Sequence, residues 1–160
     1  MIPEKGIEAN PVKIEAIRRM RLPSTKKEVQ KFTGRLASLN RFISRSAEKS
    51  LPFFKVLKGT ENFHWGSEQD KVFEDLKKYL ENLAVMRSPT PGAELLLYIA
   101  TSSFAVSAAL VEKRTVEGTL KQLPIYFVSE AWNRSKLLYS EMEKMAYAVV
   151  MAARKLRHYF

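Results

Sequence analysis

The five residues Ser88-Pro89-Thr90-Pro91-Gly92 divide the chain into two halves that cannot fold alike. Two prolines and a glycine so close together stop any helix and make a linker or hinge. Before them, apolar residues recur every three or four positions, the spacing of helices with one buried face. Asn10-Pro11 starts the first helix, with Ile14, Ile17 and Met20 as its stripe. Thr25-Lys26-Lys27-Glu28 is a capping box that opens a second helix running to about Ile43. Pro52–Lys58 is a third, and Ser67-Glu68-Gln69-Asp70 caps a fourth along Val72, Phe73, Leu76, Tyr79 and Leu80. After the break the pattern changes. Leu95–Ala100, Phe104–Val111 and Leu123–Ser129 are apolar runs of strand length, with Glu112–Gly118 as a hairpin loop. Ser140–Tyr159 returns to helical spacing. The reading is an α+β chain: residues 1–87 helical, 88–93 linker, 94–160 three strands and a helix.

At 160 residues the chain suits one domain or two small subdomains. The absence of cysteine removes a disulfide framework and a thiolate nucleophile, and two histidines are too few for a histidine metal cluster. Ser102, Ser129 and Ser140 have no histidine suited to a hydrolytic triad. The longest apolar runs, such as Met145–Ala153, are too short to cross a bilayer, and the N-terminus lacks a hydrophobic signal segment. These features suggest an intracellular protein, not secreted and without a membrane partner. Charge is the more pointed signal. Residues 1–60 hold 14 lysines and arginines against 5 acids, whereas 61–92 hold 4 against 6 and 93–160 hold 9 against 6. A basic excess confined to one segment is the footprint of a phosphate-backbone partner, or else a lysine-rich solvated surface.

The second helix concentrates that charge. Wound at about 100° per residue, it places Val29, Phe32, Leu36, Leu39 and Ile43 in one stripe. Lys27, Gln30, Lys31, Gly34, Ser38, Arg41 and Arg45 lie opposite. Glycine inside an exposed helix costs about 1 kcal/mol relative to alanine. Gly34, one turn from both Gln30 and Ser38, leaves a shallow groove rimmed by cations, suited to close approach of a sugar–phosphate backbone. Such contacts position a duplex without reading its sequence.

An ordered set of segments, GIEANPVKIEAI, KKEVQKFTGRLASLNRFIS, LPFFKVLK, FHW and FEDLKKYL, resembles the thumb and connection that follow the polymerase palm in gypsy-type LTR retrotransposon pol polyproteins. LLLYIATSSFAVSAALV through YFVSEAW to LLYSEMEKMAYAVVMAARKLRHYF is similar to the RNase H-like region after it. The wording is nearest to plant elements, and the likeness covers residues 6–160. It implies a helical thumb/connection over 1–87 and, over 94–160, a truncated RNase H-like fold, a three-stranded antiparallel sheet plus helix. The family's thumb helix tracks the minor groove of the primer–template, and its glutamine and glycine fall on Gln30 and Gly34. Where many relatives carry an aromatic residue one turn later, this chain has Ser38. No Tyr-x-Asp-Asp motif is present, so the palm is expected before residue 1, with Met1 an internal residue of a longer parent.

Active relatives hold magnesium between carboxylates. Their first aspartate falls on Ala100, a second common downstream on Ser103, and their helix glutamate on Met145. No aspartate follows Asp75, so no shift of register restores the first ligand. Glu143 lies roughly 200° around the helix from position 145. Met145 joins Met142, Ala146, Val149, Ala153 and Leu156 in a stripe expected to face the sheet, and Glu141, at its edge, is the best surviving acid. The resemblance therefore implies a noncatalytic segment without a metal cofactor. It would contact an RNA–DNA hybrid or DNA duplex, in a cytoplasmic particle or the nucleus, and tether the polymerase to the rest of the polyprotein, including downstream RNase H and integrase. An RNase H-type nuclease cutting RNA in hybrids, and a host-adopted interaction protein, remain as alternatives. Trp65 and Trp132 are expected as packing anchors, with base stacking by an exposed Trp132, beside Asn133 and Arg134, as the alternative, and the methionines as core filler.

Overall fold

The computed structural model describes residues 6–59 and 62–159. Met1 and Phe160, the ends of the reading above, lie outside the described residues. Helix α1 (Pro11–Arg18) begins where the sequence places it, with the Asn10 side chain accepting from the Val12 N–H at 2.9 Å. Helix α2 spans Lys26–Ala37 and α4 Leu51–Lys58, while α5 spans Ser67–Glu81. At the start of α5 the Gly66 N–H donates to Gln69 Oε1 at 3.1 Å, and Trp65 Nε1 donates to Asp70 Oδ1 at 2.7 Å.

These helices close over one core of Ile17, Val29, Phe32, Phe53, Phe73 and Leu80. Phe32 sits 4.9 Å from Phe53 and 4.8 Å from Phe73, ring centre to ring centre, and Trp65 stacks on Phe53 at 5.7 Å. Each fully buried phenylalanine contributes on the order of 2–3 kcal/mol. Trp65 is thus the packing anchor expected.

The second helix is shorter than its spacing predicts. It ends at Ala37, and the chain continues through a 3-10 turn at Asn40–Phe42 into the short helix α3 (Ser46–Lys49). Arg45 joins the two at φ 53, a left-handed conformation. Leu39 and Ile43 are still buried, because the turn delivers them to the same core that the continued helix would have reached. Spacing thus reported burial correctly and the backbone incorrectly.

Strands β1 (Leu95–Thr101), β2 (Ala105–Val116) and β3 (Thr119–Ala131) form an antiparallel sheet in that order. The expected Glu112–Gly118 loop contracts to Glu117-Gly118, whose φ angles of 51° and 76° suit a two-residue hairpin turn. Charge on residues 112–116 marks a strand reaching past the core. Side chains alternate between faces. After β3 come the short helix α6 (Arg134–Leu137) and α7 (Glu141–Lys155); Ile99, Val106 and Val128 pack on α7 through Ala148 and Met151, and Leu110, Ile125 and Leu156 extend that layer. The opposite face meets the helical unit: Phe127 packs against its core, and the Ala47 N–H donates to Ser129 Oγ at 3.2 Å.

The Pro-rich segment is strapped to the sheet rather than swinging free. Glu112, only 2% exposed, accepts from the Thr90 N–H at 3.0 Å and from Thr90 Oγ1 at 2.8 Å. Arg114 Nε and Nη2 donate to the same carboxylate at 3.0 and 2.8 Å. The Arg114 bonds, aided by those from Thr90, outweigh burial and hold the Glu112 carboxyl down at about 2.

Helix α7 corrects the sequence reading most sharply. Ser140 and Glu143 cap it reciprocally, but Met142, Met145 and Val149 are 80%, 44% and 51% exposed. Of the expected stripe only Leu156 is buried, and Lys144, Ala148, Met151 and Ala152 are buried in place of the rest. Two apolar faces lie about 120° apart on this helix, and hydropathy cannot rank them. Ala148 and Ala152, one turn apart and fully buried, let the helix backbone sit close to the sheet. Lys144 lies along that contact with its Nζ 2.9 Å from Glu141 Oε1, a buried stem with its charge led outward. Met145 is therefore not core filler, although Met86 and Met151 are.

Candidate nucleic-acid interface

The local sequence sets α2 firmly. Thr25 Oγ1 accepts from the Glu28 N–H at 3.2 Å, while Glu28 Oε2 accepts from the N–H and hydroxyl of Ser24 at 2.8 and 3.0 Å. Those bonds lead the causes that hold the Glu28 carboxyl below its usual range. The inner face is sealed by Val29, Phe32 and Leu36, and Arg35 Nη1 donates to the Ala16 carbonyl at 2.6 Å, tying α2 to α1.

Five of the seven predicted contact residues stand together on the outer face. Lys27, Gln30, Lys31, Gly34 and Ser38 are all exposed. Lys27 and Lys31 form no ion pair among the described residues. Ser38 caps the helix and turns its hydroxyl back to the Arg35 carbonyl at 2.7 Å. A Cβ built on Gly34 meets no atom within 4 Å, so nothing in the fold requires glycine there.

Arg41 and Arg45 do not belong to that face, because the helix has ended before them. Arg41 is half-buried, its guanidinium 4.6 Å from the centre of the Tyr126 ring and its buried Nε without a hydrogen-bond partner. It packs helix against sheet. Arg45 bonds Glu48, Nε at 2.8 Å and Nη2 at 2.6 Å from Oε2.

Arg45 and Glu48 border Ala100, the position on which the sequence reading lays the family's first aspartate. Ala100 pairs with Ser107, and Ser107 with Ser129, on the sheet face turned toward α3. With Arg45, Glu48, Ser102 and Ser129 they line a cavity of about 120 Å³. Met145 is on α7, across the sheet. The two positions do not share a pocket, and a methyl group and a thioether do not fit magnesium. Among the described residues no three acidic, histidine or cysteine side chains cluster as a metal site. Glu141, the acid on α7 that the sequence reading favours as a substitute ligand, is held by Lys144 at 2.9 Å. Ser103 is exposed.

Trp132 is 5% exposed and donates Nε1 to the Ser102 carbonyl at 2.8 Å, so it is closed to base stacking. Sequence reasoning also passed over Glu130. Burial pushes its carboxyl up, but bonds from Lys136 at 2.7 Å and Tyr147 at 2.9 Å outweigh this and hold it low. The sole sequence signal was an acid near the end of a strand.

The chain is 27% identical over 158 residues to the Transposon Tf2-3 polyprotein of Schizosaccharomyces pombe, covering 99% of this chain and 12% of that polyprotein. The Tf2-4 polyprotein of the same organism matches equally, at 27% over 158 residues and 12% of its length. The chain thus spans 12% of the length of these curated relatives. Its fold resembles the foamy viral protease-reverse transcriptase solved with an RNA/DNA hybrid, at a TM-score of 0.77 and 20% identity, over 96% of this chain and 20% of that one. The dRH form of that protein, solved with ds DNA, gives a TM-score of 0.78 at 19% identity, over 98% of this chain and 27% of that one. Likeness at such identity speaks for the fold alone. The model of the RNase H-like domain found in reverse transcriptase matches residues 65–160, from the Trp65 anchor through α5, the sheet and α7, and the chain belongs to that family.

Proposed function

We propose that this chain is a noncatalytic reverse transcriptase segment from a gypsy-type LTR retrotransposon pol polyprotein, of the plant subtype. Residues 1–87 serve as thumb and connection, 88–93 as a strapped linker and 94–160 as a degenerate RNase H-like unit. The outer face of α2 grips an RNA–DNA hybrid or DNA duplex. The sheet unit tethers the polymerase to downstream RNase H and integrase regions, inside the cell.

Gly34 carries this reading. It sits mid-helix, exposed, with open space where a Cβ would stand, beside Lys27 and Lys31, which form no ion pair among the described residues. A residue that weakens its own helix and relieves no internal crowding is explained by an external surface coming close. Phosphate and sugar are the surfaces that suit flanking Lys27, Gln30 and Lys31. The noncatalytic part is supported by the Arg45–Glu48 pair beside Ala100 and by the placement of Met145 on a different surface.

Equilibrium binding of a labelled RNA–DNA hybrid, with a cleavage assay in magnesium on the same sample, tests both parts. Tight, salt-dependent binding without cleavage is expected. Metal-dependent cleavage that Glu141→Gln abolishes would overturn the noncatalytic assignment in favour of an RNase H-type nuclease. Affinity no better than that of an unrelated protein of equal charge would favour a host-adopted interaction protein.

A further inference from the structure

A second group of cations gathers where α7 ends. Arg154 and Lys155 in its last turn and Arg157 just beyond line a cleft of about 450 Å³ with Glu130, Tyr147 and Val150. None of the three cations forms an ion pair among the described residues. The one acid in the lining, Glu130, is already satisfied by Lys136 and Tyr147. Three positive charges thus converge on a concave surface that holds one carboxylate, Glu130, which feels the Lys155 charge but is bonded to Lys136 and Tyr147. Cations in a last turn also suit the negative end of the helix dipole, but Arg157 stands past that turn and the dipole does not account for it.

The cleft is not isolated. Glu130 also forms a wall of a neighbouring cleft of about 240 Å³, lined by Thr33 and Ala37 of α2 with Ser46 and Ala131. Thr33 and Ala37 occupy the flank of α2 beside Gln30 and Gly34. Glu130, near the end of β3, is thus the wall that the α2-side cleft and the α7 cleft share.

We infer that the α7 cleft is a second phosphodiester-binding surface, taking the backbone of the same nucleic acid that lies on α2. This rests on the reading of α2 as a duplex contact. Tyr147 and Val150 give the cleft a partly apolar floor on which a sugar can rest, and Arg154, Lys155 and Arg157 meet the phosphates. The order along the surface is α2, β3 end, α7, so a short duplex reaches one region and a longer one reaches both.

The test is the salt dependence of duplex affinity for two separate variants of the full chain. One is Arg154→Gln/Lys155→Gln/Arg157→Gln, and the other is Lys27→Gln/Lys31→Gln. Each phosphate contact contributes about 0.9 to the slope of log affinity against log salt. The α7 variant is expected to lower the slope by about 2 to 3 on a long duplex and to leave it unchanged on a short one. A photo-crosslinking residue at Val150, with all charges retained, is expected to capture the long duplex. If neither the slope nor crosslinking responds while the α2 variant weakens binding, the cleft assignment is wrong and the α2 reading stands. If the α7 variant responds and the α2 variant does not, the cleft is upheld and the α2 reading fails. Perturbation of the cleft by inorganic phosphate, with no change in the duplex slope of the α7 variant, identifies a small-anion site and also overturns the proposal.

Discussion

Gly34→Ala is expected to move stability and affinity in opposite directions. The Cβ added at position 34 meets nothing within 4 Å, so it brings no clash, and the residue sits within α2. Replacing glycine by alanine in an exposed helix interior gains about 0.8–1 kcal/mol. For a chain of this size, that raises the melting temperature by about 2–4 °C. The same methyl stands where the backbone of a bound duplex must approach. Affinity for an RNA–DNA hybrid is expected to fall roughly tenfold, equivalent to about 1.4 kcal/mol, with a steeper loss for Gly34→Leu. Calorimetric melting and fluorescence anisotropy on the same preparation read the two effects. A more stable variant with unchanged affinity would refute the argument from close approach. A less stable one would show that the glycine serves the fold.

Three further perturbations separate the parts of the account. Glu112→Ala leaves Arg114 and Thr90 without their carboxylate and is expected to cost about 1–3 kcal/mol in urea unfolding. Because the folded carboxyl is held at about 2, below its ordinary 4.5, its stabilisation is full above that ordinary value and fades as pH falls toward 2. An acid titration of wild type should show this loss, and Glu112→Ala should lack it. Met145→Glu, at a position 44% exposed, is expected to change stability by no more than about 0.5 kcal/mol, whereas Ala148→Glu, at a fully buried position, should unfold the α7 layer. A cost above about 3 kcal/mol for Met145→Glu would restore it to the core. Ala100→Asp should pair with Arg45 and confer no magnesium binding by titration calorimetry, since position 145 lies across the sheet. Measurable magnesium uptake by that single variant would contradict the placement.

The helical core was legible because each burial signal was repeated: Val29, Phe32, Leu36, Leu39 and Ile43 keep their spacing and all reach the interior. The end of α2 was not legible, because a 3-10 turn satisfies the same spacing. That single break removed Arg41 and Arg45 from the expected contact face while leaving Lys27, Gln30, Lys31, Gly34 and Ser38 on it. The residues at the two expected carboxylate positions, Ala100 and Met145, were readable as identities. Their surroundings were not, since α7 carries two apolar faces and the close contact of Ala148 and Ala152 decides between them. The Pro-rich segment read as a hinge because composition shows where a helix stops, not that Glu112 and Arg114, more than twenty residues on, tie it down.

The duplex-binding claim is tested most directly by the slope of hybrid affinity against salt for wild type and for Lys27→Gln/Lys31→Gln. Both lysines are exposed and without ion-pair partners among the described residues, so their loss leaves the fold intact. The account predicts a slope of several charges for wild type, lowered by about 2 in the variant. An unchanged slope, with affinity equal to that of an unrelated protein of the same net charge, would contradict it.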